Sequence, residues 1–198
     1  FEPVGLAAYV PQLLVVHPSV LAKTVNELID LAKAQPGKIN VGTPGVGTVG
    51  HLSVELLTVT TGAKFVHVPY KGIGPAVIDL VGGRIQAAIG SVTGTQPQIS
   101  AGRIRAIATG HFKRLRTMPE LPTIAESLPG FTNNGWYGIF APAGTPASII
   151  NKLNAEMKRA LANADFNKHV ESIGMEPAGS TPQELREWVR SELARWTK

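Results

Sequence analysis

No cysteine occurs in this sequence, which excludes disulfide bonds and any catalytic or metal-binding thiolate. Long apolar runs are missing as well: the longest, residues 13–16, is strand-sized, whereas crossing a bilayer takes about 20 apolar residues. The sequence opens with Phe1 rather than Met, and no signal peptide is visible. Only 17% of the residues are charged and no low-complexity tract occurs, which is typical of an ordinary globular protein.

The charge balance is modestly basic. The formal net charge is +5 and the isoelectric point is about 9.6, which favours anionic partners without requiring nucleic acid. The basic run of Lys113, Arg114 and Arg116 has one aromatic neighbour, Phe112, and no recognised nucleic-acid motif around it. We therefore predict a solvated turn there and no nucleic-acid partner.

Strand and helix patterns alternate along the first 110 residues. Helical stripes separate short β-rich runs at residues 39–43, 64–69, 84–90 and 103–109. This β-α-β-α-β order predicts an α/β fold with a mainly parallel sheet. At 198 residues, one domain and two small lobes are equally compatible with the length.

The sequence after residue 110 has a different texture. It contains one convincing strand, residues 135–141, and two long amphipathic helices that begin at Thr145-Pro146 and Thr181-Pro182. Both starts combine an N-cap threonine with a proline at the first helical position. One strand cannot cover two apolar helix faces, so we predict that part of this domain is missing from the chain.

The segment INVGTPGVGTVGHL, residues 39–52, contains Gly45-x-Gly47-x-x-Gly50 between a strand pattern and a helix pattern. This spacing is that of a dinucleotide-binding turn, which also requires an acidic residue about 20 positions later. The next strand ends without Asp or Glu and offers only Lys71. An NAD(P)-binding oxidoreductase fragment is therefore the weaker alternative, and a turn shaped only by packing is another.

A small-anion site is the interpretation we favour for this loop. Backbone N–H groups between a strand end and a helix start are free to point at one ligand, and Thr48 adds a hydroxyl. Micromolar affinity requires about 8 kcal/mol, whereas each hydrogen bond to a charged group contributes about 1.5–3 kcal/mol before the ordering cost. One loop falls short, so we expect a second surface to close over the ligand.

The remaining candidate side chains predict neither a metal site nor catalysis. His51, one turn into the helix, is either an anion donor or a partly buried helix residue. The other histidines are scattered without metal-ligand spacing: His17, His67, His111 and His169. Ser91 lies in Gly90-Ser91-Val92-Thr93-Gly94, which is not the G-x-S-x-G turn of serine hydrolases.

Four segments stand in one order that resembles a known family. They are the glycine-rich loop, HVPYKG (67–72), ELPTIAES (120–127) and WYGIFAPAGTP (136–146). Together they resemble the substrate-binding receptors of tripartite tricarboxylate transporters, the Bug family, over essentially the whole chain. The resemblance implies a periplasmic, two-lobed protein of the type II periplasmic-binding class, which delivers a small carboxylate to membrane permease subunits without catalysis or cofactor.

The resemblance also implies which residues contact the carboxylate. The family's loop positions match these residues of the chain: Thr43, Gly45, Val46, Gly47 and Thr48, with His51 following. Threonine at 48 replaces the commoner serine and retains the hydroxyl. The strand end Ile89-Gly90-Ser91, where the family usually carries an Asp, adds Gly90 and Ser91 to the predicted site and leaves the ligand class open.

Family chains are longer and begin with a first-lobe segment that bears the other carboxylate-binding loop. The resemblance therefore implies that residues 1–112 form the complete second lobe with hinge strands, and that residues 113–198 form the remainder of the first lobe. We expect such a chain to bind weakly by itself and to self-associate through exposed apolar helix faces. A purely structural or assembly domain is the third alternative.

Overall fold

The computed structural model describes residues 1–197, in which eight strands and eight helices form two units. We call Pro11–Gly135 the larger unit, and Phe1–Val10 together with the chain from Trp136 onward the smaller unit. The larger unit contains strands β2 (Gln12–Val16), β3 (Ile39–Thr43), β4 (Phe65–Pro69), β5 (Ala87–Ser91) and β6 (Arg105–Thr109). Its helices are α1 (Val25–Ala34), α2 (Val49–Thr61), α3 (Ile73–Val81), α4 (Val92–Ser100) and α5 (Ile124–Ser127). The smaller unit contains β1 (Glu2–Val10), β7 (Gly135–Ala141), β8 (Glu176–Pro177), α6 (Ala147–Leu161), α7 (Ala164–Ser172) and α8 (Pro182–Trp196).

The larger unit is built on a five-stranded sheet in the order β4-β3-β5-β2-β6. Strand β3 pairs in parallel with β4 and β5, whereas β2 runs antiparallel to β5 and β6. The predicted α/β class is confirmed, and four of the five strands point the same way. Strand β2 departs from the predicted alternation because it lies between β5 and β6 and runs in the reverse direction.

Alternating side chains of β2 pack into two apolar cores, one on each face of the sheet. Leu14 and Val16 belong to a cluster with residues of α1 and α2, while Leu13 and Val15 belong to one that includes residues of α3 and α4. Successive strand residues point to opposite faces of a sheet, so one short apolar run supplies both cores. All five residues of β2 are buried, which explains the apolar run that follows Gln12.

The smaller unit is built on a three-stranded sheet in the order β7-β1-β8. Besides β7, the part after residue 110 contains a second strand that was not predicted, the two-residue β8. Strand β1, from the start of the chain, lies between β7 and β8, and Ala8 pairs with Pro177 and Tyr9 with Glu176. Helix α7 was also not predicted. Among the described residues, the buried apolar cluster of the smaller unit consists of Val4, Ala141 and Ile150.

The boundary between the units differs from the predicted one at residues 112 and 113. The segment after β6 stays with the larger unit because the Thr109 amide donates to the Pro122 carbonyl at 2.9 Å and Thr109 bridges to Thr123. Leu115 and Phe131 are buried in the two cores of that unit. Assignment of the units to the second lobe and to the remainder of the first lobe stays a prediction.

Helix starts follow the predicted capping chemistry in part. Thr181 forms a full capping box at α8, with Pro182 as the first helical residue. The predicted threonine cap of α6 was wrong: Pro146 occupies the N-cap position, and the Thr145 hydroxyl donates to the Pro142 carbonyl. No helix within residues 1–197 combines the length and apolar character needed to span a membrane.

Candidate anion-binding site

The glycine-rich loop, residues 43–48, connects the end of β3 to the start of α2. Gly45 and Gly47 have φ values of 144° and 77°, which only glycine adopts without strain. A Cβ at Gly50 would lie 2.9 Å from the Ile89 carbonyl oxygen, so the first turn of α2 lies directly against β5. The loop is thus at the carboxyl ends of parallel strands, where α/β sheets usually bind ligands.

Three backbone N–H groups of the loop and the first turn of α2 have no protein partner in the part of the chain that the structure describes. Among the described residues, the N–H groups of Val46, Val49 and Gly50 donate to no protein acceptor. Val46 is 74% exposed, so its part of the loop faces solvent, whereas Val49 is half-buried and Gly50 is buried. Unpaired amides at the N-terminus of a thirteen-residue helix favour an anion through hydrogen bonding and the helix dipole.

The other loop amides are bonded within the loop itself. The Gly45 amide donates to Thr43 Oγ1 at 3.4 Å and the Thr48 amide to the Gly45 carbonyl at 3.4 Å, both long hydrogen bonds. The Gly47 amide donates to His51 Nδ1 at 3.1 Å. Part of the predicted donor cluster is therefore engaged by side-chain and backbone acceptors in this structure, while the amides of Val46, Val49 and Gly50 have no protein acceptor among the described residues.

The two threonine hydroxyls assigned by resemblance also have protein partners. Thr48 caps α2, since its hydroxyl donates to the Gly45 carbonyl at 2.7 Å and accepts from the His51 amide at 3.4 Å. Thr43 is fully buried, and its Oγ1 lies 2.6 Å from His67 Nε2. In this structure both hydroxyls shape the loop, and their direct contact with a ligand stays a prediction.

His51 and His67 form a pair that the sequence interpretation did not identify. Their rings stack with centroids 4.2 Å apart and an interplanar angle of 29°. Burial lowers the pKa of His67, the neighbouring His51 lowers it further, and Glu55 opposes the shift. Glu55 Oε1 lies 3.6 Å from His51 Nε2. The available signal was positional: His67 lies in β4, beside β3, and pairs with Val41 two residues before Thr43, where the loop begins.

The strand-end residues Gly90 and Ser91 lie at the same edge of the sheet, because β5 pairs with β3. Ser91 is the half-buried N-cap residue of α4 and makes no side-chain capping bond. A Cβ at Gly90 would clash with Ile73, so glycine allows α3 to pack closely there. Their predicted role in ligand binding is not decided by these contacts.

The dinucleotide alternative finds no acidic group where it needs one. Strand β4 ends at Pro69 and is followed by Tyr70, whose hydroxyl donates to Asp79 at 2.8 Å. Arg84 lies 2.6 Å from the same carboxylate. Burial and the Asp79 hydrogen bond raise the pKa of Tyr70 to about 12. The nearby carboxylate is thus engaged by a tyrosine and an arginine.

A separate cavity of about 640 Å³ lies in the larger unit, around the first residues of β6. Residues that line it include Lys23, Ile99, Arg105, Met118 and Leu121. No predicted site residue lines this cavity, because the predicted site residues lie at the carboxyl ends of the strands and the cavity lies at the opposite ends. Within residues 1–197, no group of three or more His, Asp or Glu side chains could hold a metal ion.

Comparison with known proteins decides the family. Residues 1–198 match the tripartite tricarboxylate transporter family receptor. The chain belongs to this receptor family. The resemblance inferred from the four sequence segments is confirmed.

Curated relatives of this receptor chain include a Pseudomonas sp. (strain P51) protein encoded in the tcbD-tcbE intergenic region, which is 41% identical over all of this chain and 60% of its own length. Protein BugT of Bordetella pertussis is 34% identical over 98% of this chain and 60% of its own length. The chain thus spans about 60% of the length of these relatives.

Solved structures confirm that the fold is that of the receptor family. An R. palustris protein solved with adipate is 37% identical, with a TM-score of 0.87, over 100% of this chain and 66% of its own. The periplasmic binding protein BugD is 32% identical, with a TM-score of 0.82, over 99% of this chain and 67% of its own. MatC from Rhodopseudomonas palustris with bound malate is 31% identical, with a TM-score of 0.82, over 99% of this chain and 68% of its own.

Proposed function

We propose that the chain is part of a periplasmic solute-binding protein that captures a small carboxylate and delivers it to the permease subunits of a tripartite transporter. The observation that carries this proposal is the set of amides without a protein acceptor, within the described part of the chain, at Val46, Val49 and Gly50, of which Val46 is exposed. Relatives solved with adipate and with malate support a dicarboxylate ligand. Receptors of this kind bind and release their ligand unchanged, and we propose no catalytic role.

The local chemistry suits one carboxylate end of such a ligand. Three unpaired amides and the positive end of the α2 dipole attract negative charge, and a formal net charge of +5 attracts anions over longer distances. Three charge-assisted hydrogen bonds contribute about 5–9 kcal/mol before ordering costs of several kcal/mol. We therefore propose that further contacts, including Gly90 and Ser91 at the end of β5, complete the site.

We further propose that Thr48 acts on the ligand mainly by holding the loop in shape, and Thr43 by holding His67. Both hydroxyls lie within hydrogen-bond distance of protein groups, at 2.7 Å and 2.6 Å. The larger unit corresponds in this proposal to the second lobe of the receptor and the smaller unit to a part of the first.

Substitution of Val49 tests a backbone donor directly. Proline at 49 removes the N–H group yet fits the first position of α2, where proline is favoured. Thr48 has φ −76° and ψ 163°, almost the same as Thr181 with φ −74° and ψ 162°, which precedes the natural Pro182 of α8. The matched control is Val49→Ala, which shortens the side chain and keeps the amide.

Because we expect the chain to bind weakly by itself, binding of malate, adipate and citrate is measured by titration calorimetry on the longer receptor of which we propose it is part, with adipamide as the uncharged control. We expect at least one carboxylate to bind, with affinity lowered roughly 10- to 100-fold by Val49→Pro and hardly changed by Val49→Ala. Circular dichroism checks that both variants keep the helix content. Failure of all carboxylates to bind, or equal affinity of the two variants, would contradict the proposal.

A further inference from the structure

We propose that carboxylate capture by the glycine-rich loop is proton-linked: His51 takes up one proton as the anion binds, and the stacked His67 favours that proton staying on His51. This inference rests on the proposed function, because it concerns how the same loop is switched. It is carried by the contacts of the stacked pair with Gly47, Thr43 and Glu55.

In the structure described above, His51 holds back one of the loop's donors. Its Nδ1 accepts a hydrogen bond from the Gly47 amide at 3.1 Å, so this nitrogen carries no proton and the ring is neutral. The Gly47 N–H therefore points to the imidazole rather than to a ligand. Its neighbours on either side of the turn, Val46 and Val49, leave their amides open.

Protonation of Nδ1 reverses this arrangement. Two N–H donors would then face each other across the Gly47–His51 contact, and the hydrogen bond between them is lost. The Gly47 amide and the cationic ring N–H both become available to an anion beside the open amides. A carboxylate stabilises that protonated state, and by thermodynamic reciprocity the proton strengthens carboxylate binding.

The charged groups around the pair favour a single proton on His51. On α2, Glu55 lies 3.6 Å from His51 Nε2 and supports a positive ring. On β4, His67 stacks on His51 at 4.2 Å, and a second positive charge at that distance is unfavourable. On β3, Thr43 contacts His67 Nε2 at 2.6 Å and fixes its ring. Burial together with His51 lowers the pKa of His67, which favours the neutral form of that ring.

Proton uptake is measured by titration calorimetry of adipate and malate near neutral pH, about pH 7, in Bis-Tris and in Tris, neither of which is an anion. These buffers differ in ionisation enthalpy, so the difference in binding heat counts the protons exchanged. Aliphatic carboxyls are already ionised there, and the count therefore reports on the protein. We expect uptake of up to one proton per ligand, and an affinity that falls by up to about tenfold per pH unit in the alkaline direction.

Two substitutions locate the proton. Asn at position 51 offers Oδ1 as an acceptor where His51 has Nδ1 but cannot be protonated, so His51→Asn should bind without proton uptake. The matched control is His17→Asn, which removes a histidine of the same unit that bonds to Ser19 at 2.7 Å and does not contact the loop. Proton uptake should survive in this control.

A ligand-free measurement makes the test independent of affinity. In NMR spectra recorded across the histidine titration range, the Gly47 amide signal should move together with the ring signals of His51. Carboxylate binding without proton uptake, uptake that persists in His51→Asn, or a Gly47 amide that does not follow His51 would overturn the inference. The first two outcomes leave the proposed receptor function intact, whereas failure of every carboxylate to bind contradicts that function.

Discussion

The larger unit encloses its sheet between two apolar clusters, one on each face, whereas the smaller unit has one buried cluster of three residues. The difference is also visible at the surface. Large apolar side chains of the smaller unit that remain exposed include Tyr137, Ile139, Phe140, Ile149, Leu153, Phe166 and Leu193. Both units contain amphipathic helices, so the contrast shows that a helix pattern alone does not provide a core; a sheet of sufficient width must cover it.

The largest effect should come from the cores. Leu28 of α1 is 1% exposed, and Leu28→Ala should lower the free energy of unfolding of the larger unit by about 2–5 kcal/mol through lost burial and a cavity. Leu185 of α8 is fully buried in the smaller unit, and we expect Leu185→Ala to cost less because the buried apolar cluster of that unit, Val4, Ala141 and Ile150, is smaller.

Two optical signals separate the units in urea denaturation. Trp136, Trp188 and Trp196 all lie in the smaller unit, so tryptophan fluorescence follows that unit while far-UV circular dichroism follows both. The control Leu21→Ala removes an 88% exposed side chain and should change stability by less than about 0.5 kcal/mol. Equal costs for Leu28→Ala and Leu185→Ala would contradict the contrast between the cores.

A buried asparagine in each unit sharpens the comparison. Asn133 donates to the Val49 carbonyl at 2.7 Å and contacts the Ser53 hydroxyl, while Asn154 donates to the carbonyls of Val4 and Ser180 at 2.8 Å each. Substitution by Leu removes the donor and its buried hydrogen bonds, at a cost of about 1–3 kcal/mol. We expect similar losses in the two units by urea denaturation, because this cost depends on the local bonds rather than on core size. A negligible loss in either variant would count against these bonds.

Exposed apolar residues of the smaller unit predict self-association. Leu193 of α8 is 62% exposed, and Leu193→Glu should weaken any dimer roughly tenfold by replacing an exposed apolar side chain with a charged one. Leu21→Glu makes the same change on the larger unit and should have no effect. Light scattering over a range of protein concentrations provides the measurement, and a monomer at every concentration would refute the prediction.

The smallest effect concerns two capping-box carboxylates. The Arg114 guanidinium and the Thr123 amide lower the pKa of Glu126 in the larger unit to about 2, whereas in the smaller unit only the Thr181 cap acts strongly on Glu184 and lowers its pKa. A carboxyl with a depressed folded-state pKa stabilises the fold above its unfolded value and loses that contribution as the pH falls through the folded value. For Glu126 the window is therefore from 4.5 down to about 2.

The test is the melting temperature of Glu126→Gln and of Glu184→Gln against the unchanged chain. At neutral pH we expect decreases of roughly one to three degrees, larger for Glu126 because it also loses Arg114 at 2.6 Å. Both decreases should shrink as the pH falls through the window. A difference that stays constant down to about pH 2 would show that the carboxylate charge is not involved.

Much of the candidate site could be predicted because its signals are local. The bounds of β3, the Thr48 cap of α2 and the Gly62 residue that ends it agree with the sequence interpretation. The family was identified from four short segments and is confirmed. His67 was not identified as part of the site, because its contact with His51 depends on the pairing of β4 beside β3 and on the packing of α2 against them.

The sequence by itself determined the elements whose causes lie within a few residues: capped helix starts, glycine turns with positive φ, and apolar periodicity. Only the tertiary structure decided the antiparallel position of β2 between β5 and β6, the pairing of β1 with β8, and the hydrogen bond from Asn133 to the Val49 carbonyl, 84 positions away. Propensity and capping act over one or two turns of chain, whereas strand pairing and ring stacking depend on which distant segments the cores bring together.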